Sequence, residues 1–490
     1  MVKTYKYINN LILVDIILLI SILKRNDCAI YIPFKIIEPN IRNNNFYNAS
    51  SILEYWNNTK LSTELSIGNP PQKIQVLFLS NMYELNLFEN MCDIPNSFYD
   101  KSDSSTYNYI KNIKYTYNNI LNCSIINESI YLYTDLGQKN KIILNGFNII
   151  YSDNKKEDYK TSILNEKEYE YHPYTCLNIG FQPRQSISFG YDLNFVGQIK
   201  HYKKNDKSII KDYDFTFKFT NDNQGYLIIG EKPHEFDKNN FKEEQFLTQG
   251  SKNRQYTSDW FLEFDNIYYT GISMKDNTKY NDTFYCDSTV KFDLNLGLIE
   301  GTNNYETHIK IDFFSSLIDK DICFSEEIEN KYRIYYCDKK LGFSYIEKYF
   351  PVLKFCMKQF GLCLDFGYKD LFKEKDDKIY FLVYFNIKDS FSERFTIGQI
   401  LIKKYLLTFN YDTKLIGFYD KSKNIEKKSG EENNDNGNSS IWKTVVILIV
   451  SFIVFIAVGF LLGKKIYETS RKKKANELID DYDYDAKNIN

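Results

Sequence analysis

Short runs in which apolar and polar residues alternate narrow most sharply what this chain can fold into. KIQVLFL from Lys73, DFTFKF from Asp214, YLIIG from Tyr226 and WFLEFDNIYY from Trp260 are such runs, and turn-forming residues separate them at short intervals. Successive side chains of a strand point to opposite faces, so period-two alternation between close turn signals predicts an all-β body. Helical stretches are few, Asn194 to Lys203 being one. No internal repeat of the kind that builds solenoids is visible. With 490 residues the chain is long enough for two lobes of ordinary size.

Two apolar segments bracket that body. Leu11 to Leu23 (LILVDIILLISIL) follows Lys3 and Lys6 and is interrupted by Asp15. It is short for a membrane span and fits a signal-peptide core, with residues 1–28 removed near Cys28; a retained anchor is the competing expectation. Thr444 to Leu462 (TVVILIVSFIVFIAVGFLL) carries no charge. A run of roughly 20 apolar residues crosses a bilayer as a helix. Lys464, Lys465, Arg471, Lys472, Lys473 and Lys474 follow it, and basic residues flanking a span mark its cytosolic side. The expectation is a type I membrane protein: a luminal or extracellular body, a polar stalk over 422–440, a transmembrane helix over 441–463 and a cytosolic tail over 464–490. The basic-then-acidic tail is either a solvated tail or a trafficking signal.

The formal net charge is −2, which gives no electrostatic case for nucleic acid. Eight of the nine cysteines lie beyond the expected cleavage region, an even number that suggests disulfides in a secretory body, with the pairing left open. No CxxC or other zinc spacing occurs, and no P-loop or GxGxxG, so neither a metal nor a cofactor is expected. The four histidines (His172, His201, His234, His308) match no catalytic motif. Sequons at Asn48, Asn57, Asn122, Asn127, Asn281 and Asn438 permit glycosylation.

Six stretches, in order between about Thr63 and Phe418, resemble the pepsin-like aspartic peptidases. Ile67 to Phe88 (IGNPPQKIQVLFLSNMYELNLF) resembles that family's strand, Pro-Pro-Gln turn, strand and first catalytic loop. Phe98 to Tyr107 (FYDKSDSSTY) resembles its Ser-Ser-Thr-Tyr segment, and CLNIGF from Cys176 its Asp-Gly-Ile-Leu-Gly-Leu turn. Gly225 to Gly230 (GYLIIG) resembles the strand leading into the second lobe. Val290 to Gly301 (VKFDLNLGLIEG) resembles the second catalytic loop, and Thr396 to Phe418 the terminal Ile-Leu-Gly-Asp block. The resemblance implies an all-β, bilobal fold with a central cleft, an N-terminal lobe over 45–224 and a C-terminal lobe over 225–421. The membrane anchor makes plasmepsin-like and beta-secretase-like members the nearest in architecture.

The resemblance also implies a chemistry this chain departs from. The family hydrolyses peptides with two facing aspartates that share a proton and hold a water, because two like charges so close cannot both ionise. Each sits in an Asp-Thr-Gly or Asp-Ser-Gly turn. In the first loop Leu79 stands at the aspartate position, Ser80 at the hydroxyl position and Asn81 at the glycine. In the second, Asp293 keeps the aspartate, while Leu294 and Asn295 replace the hydroxyl and glycine residues and Leu296 follows. Leucine neither accepts a proton nor holds a water, and losing one partner of an acid–base pair costs about 10²–10⁴-fold. Glu84 and Asp93 lack the spacing to stand in. Ile130 to Gly137 (IYLYTDLG) resembles the hairpin that covers the cleft, with Tyr133 as its tyrosine; an ordinary hairpin with a packed tyrosine is the competing reading. The expectation is a membrane-anchored pseudoprotease that binds a peptide or protein partner in the lumen. An active endopeptidase with an atypical dyad, and a surface receptor or adhesin, are the alternatives.

Overall fold

The computed structural model describes residues 29–37, 53, 55–56, 59–80, 85–88, 99–117, 119–152, 176–178, 194–204, 207–251, 260–294, 296–328, 330–388 and 393–419. All the described residues fall within one compact unit bounded by Met1 and Ser422. The segments expected to be a signal peptide, stalk, membrane helix and tail lie outside the described residues. Among those described, no helix is long and apolar enough to cross a membrane.

The body is built mainly of strands, as the alternation predicts. Eight belong to the first half: β1 (Ile30–Ile37), β2 (Lys60–Ile67), β3 (Gln72–Leu79), β4 (Leu85–Phe88), β5 (Asn108–Tyr117), β6 (Asn119–Tyr133), β7 (Lys141–Ser152) and β8 (Cys176–Asn178). They lie in the order β1-β2-β3-β8-β4-β7-β6-β5 within a 13-stranded sheet. A register shift between Glu128 and Ile130 bends β6, which then also pairs with β2 at Ser66↔Tyr131 and with β1 at Tyr31↔Tyr133. This half of the sheet therefore curls so that β6 meets β1 and β2, while β5 stays at the end of the sheet order.

The Pro-Pro-Gln turn and the Ser-Ser-Thr-Tyr segment meet in space. Gln72 Nε2 donates to Asp100 O at 2.7 Å, and Asp100 N–H donates to Gln72 Oε1 at 2.9 Å. Asn69 N–H donates to Ser104 Oγ at 3.0 Å, and Ser105 N–H to Asn69 O at 2.7 Å. Gly68 carries this turn at φ +88, and a Cβ there would lie 2.9 Å from Ser104 Oγ. Beneath it, buried Glu128 accepts from the hydroxyls of Tyr99 and Thr106 and from Ser129 N–H.

The strands Asp214–Asn221 and Gln224–Ile229 form a hairpin that pairs with β1 on one side and with Thr408–Asn410 on the other. The expected lobe boundary at 224/225 falls inside the second of these strands. Residues 260–397 build a 9-stranded and a 4-stranded sheet. One continuous apolar core, from Ile30 to Phe418, lies between the layers. The expected helical stretch forms Phe195–His201, with the Asn194 side chain accepting from Gly197 N–H at its start. Disulfides Cys323–Cys337 and Cys356–Cys363 each join directly opposite residues of a hairpin.

One buried charge is held by a single cation. Glu306 Oε1 accepts from Arg333 Nη1 at 2.7 Å and from the Tyr335 hydroxyl at 2.8 Å, and Glu306 is almost wholly buried. Removing one partner of a buried pair leaves an uncompensated charge. Arg333→Met is therefore expected to lower unfolding free energy in urea by about 3 kcal/mol.

Candidate functional site

β3 delivers the first loop. Its early residues alternate, with Ile74 and Val76 buried and Lys73 exposed, but Leu77 and Phe78 are both buried. The change follows from the partner: over Leu77, Phe78 and Leu79 the strand acquires β8 as a parallel neighbour. Strands buried on both faces read as continuous apolar runs, hence VLFL. Leu79 is thus the last residue of β3, with only its backbone described, and Ser80 follows it, wholly buried. Asn81, and the carboxylates Glu84 and Asp93, lie outside the described residues.

The second loop leaves the strand Thr289–Phe292. Asp293 N–H donates to Ile397 O at 3.1 Å, and Leu296 N–H closes a turn onto Asp293 O at 3.1 Å. Asn295 lies outside the described residues, while Leu294 and Leu296 are buried. Gly398 passes so close that a Cβ on it would lie 1.7 Å from Leu296 O, which excludes every side chain. The next residue, Gln399, donates from Nε2 to Leu294 O at 3.2 Å and to Thr59 O at 2.9 Å. It fastens the start of β2 to the second loop.

Ser80 joins the two loops. Its Oγ accepts from Leu294 N–H at 2.8 Å and donates to Asp293 Oδ1 at 3.4 Å, across more than two hundred residues of sequence. The structure brings Ser80, Asp293 and Leu294 together at the end of β3.

Three further groups lie within electrostatic reach of Asp293, and the sequence reading singled out none of them. Lys60, beside Thr59, is half-buried and within electrostatic reach of Asp293; burial pulls its pKa down to about 8 while the Asp293 charge opposes the fall. The lysine is therefore still charged at neutral pH, a cation facing the aspartate. Nothing in the sequence marks it, because a lysine opening an alternating strand reads as a solvent-facing residue. Glu300 stands opposite Thr396 and Tyr384 in the sheet. Burial raises its pKa most and the Asp293 charge adds to that, against hydrogen bonds from Thr396 and Tyr384 and the Lys291 charge. Its signal was a lone carboxylate inside the apolar run LGLIEG. Tyr384, bonded to Glu300, has its phenol pushed well up by burial.

Tyr133 ends β6. Its neighbour Tyr131 pairs with Ser66, which pairs with Lys73 at the start of β3, and Tyr133 lies within electrostatic reach of Lys73. The hairpin after it is held by its own Asp135, whose carboxylate accepts from Asn140 N–H at 2.7 Å and Lys139 N–H at 3.3 Å.

No protein-family model matches this chain, and no curated protein matches it. Among solved structures, the chain is similar to the crystal structure of Basic 7S globulin from soybean, with a TM-score of 0.51 and 11% identity over 81% of this chain and 97% of that one. At that identity the likeness is one of fold, an aspartic-peptidase-like fold.

Two measurements probe the loops. Ser80→Ala strands the buried Leu294 N–H and is expected to cost about 1–3 kcal/mol in chemical denaturation. Lys60 has a folded-state pKa near 8 against 10.5 in the unfolded chain, so between these values only the unfolded chain holds the proton. Wild-type stability therefore gains with rising pH across that window relative to Lys60→Met, and urea midpoints from pH 8 upward should diverge in that direction.

Proposed function

We propose that the chain is a membrane-anchored, bilobal, pepsin-like protein that has lost peptide hydrolysis and binds a peptide or protein partner through its luminal body. The observation that carries this reading is the company Asp293 keeps. The loop that meets it offers a serine hydroxyl, preceded in sequence by Leu79, and the nearby charge from β2 is the Lys60 ammonium. A shared-proton mechanism needs a second carboxylate there, and an ammonium has no lone pair to activate water while it is protonated. Partner binding is supported by β5, which stands at the end of the sheet order and pairs with β6. Such a strand can accept an extended peptide by strand addition. The apolar run Thr444 to Leu462 and the basic residues after it support the anchor and its orientation.

Glu300 favours a second reading. A buried carboxyl with a raised pKa within electrostatic reach of Asp293 is the kind of pair that runs acid–base chemistry. Two facts weigh against it: Glu300 is already bonded to Thr396 and Tyr384, and it stands two strands from Lys291, roughly 10 Å of backbone away in the sheet that carries Asp293.

Full-length protein incubated with a peptide library from pH 3 to 8 is expected to cut nothing while retaining some peptides saturably. Pepstatin-sensitive cleavage lost in Asp293→Asn would overturn the proposal, and its additional loss in Glu300→Gln would establish the second reading.

A further inference from the structure

Away from Asp293, three side chains with metal-ligating atoms converge. Asp282 lies on the strand Lys279–Thr283, directly opposite Tyr269 of Asn266–Ile272. His308 lies in the helix Asn303–Ile309, and Asp312 four residues later in the π-helical turn Lys310–Phe314 that continues it. One imidazole nitrogen and two carboxylate oxygens all fall within 4.8 Å of one another. π-turns inside helices recur at functional sites, because the wider turn re-aims side chains that a regular helix would carry past one another.

The surroundings suit a cation better than a hydrogen-bonded triad. The Tyr269 hydroxyl donates to Asp312 Oδ2, orienting that carboxylate from outside and leaving Oδ1 for another partner. Tyr269 and Phe284 flank the His308 ring at 6.0 and 6.3 Å between ring centres. Outer groups of this kind set the angle at which a ligand meets a metal. Two phenols by the cluster have enclosed hydroxyls without a hydrogen-bond partner: Tyr280, within electrostatic reach of Asp312 and Asp282, and wholly buried Tyr305, within reach of Tyr280. Enclosed hydroxyls ordinarily find partners, so two orphans at one spot point to a bound species that would supply them, such as the water shell of an ion.

We propose that Asp282, His308 and Asp312 form a divalent transition-metal site, with zinc the best-fitting ion. One imidazole with two carboxylates is a borderline donor set; hard all-oxygen cages suit calcium or magnesium, and soft thiolates are absent from the three. Three protein ligands leave a fourth position for water. Bound there, the ion ties the hairpin Asn266–Thr283 to the helix that opens at Asn303. The cysteine spacings searched in the sequence do not reveal such a site, because its ligands come from a strand and from a helix some 20 residues on, without a thiol among them.

Zinc titrated into untagged full-length protein by calorimetry is expected to bind with one-to-one stoichiometry and to raise the melting temperature. His308→Gln and Asp282→Asn, the latter at an exposed position that leaves the fold intact, should each weaken zinc at least about tenfold; Tyr269→Phe should weaken it about tenfold through the outer contact. His201→Gln, remote from the cluster, should bind as wild type. Absence of saturable zinc binding, wild-type zinc affinity in the Asp282 and His308 variants, or tighter binding of calcium than of zinc would overturn the assignment.

Discussion

A buried serine hydroxyl holds this molecule's centre together. Ser80 Oγ has no water available and must satisfy both its roles within the protein, and it does so on one segment: it accepts from Leu294 N–H and donates to Asp293. A polar group buried this way costs free energy unless both bonds form, so the arrangement admits little slack. Gln399 ties the same loop to Thr59, and the bare Cα of Gly398 lets the chains pass close enough for both bonds. The position of Lys60 is a consequence: the residue after Thr59 is brought to the loop by a bond its own side chain does not make.

That geometry gives the proposed loss of catalysis a physical form beyond a missing carboxylate. A facing pair of carboxylates repels, and the repulsion is what keeps one proton between them. In the proposed reading, a serine hydroxyl and an ammonium stand beside Asp293 instead of a second carboxyl, an arrangement that suits holding a partner over activating a water. Glu300, the perturbed carboxyl within electrostatic reach of Asp293, is held instead by its hydrogen bonds to Thr396 and Tyr384.

Legibility differed between kinds of feature. The Pro-Pro-Gln turn and the Ser-Ser-Thr-Tyr segment were visible as separate stretches, and the structure shows them hydrogen-bonded to each other. A tyrosine followed by a turn looks the same in sequence wherever its hairpin lies; only the pairing of β6 with β2 and β1 places Tyr133 beside those two strands. Lys60 and the Asp282–His308–Asp312 cluster were invisible because each depends on residues that strand register and helix packing bring close, not on any spacing along the chain.

The sequence by itself determined the β-rich character of the body, through side-chain alternation that suits the two faces of a strand. It also determined the apolar run Thr444 to Leu462. Only the tertiary structure decided which groups surround Asp293. Strand alternation says which face a side chain takes, but not which distant strand that face will meet; that is settled when β2, β3 and the second loop close around one buried hydroxyl.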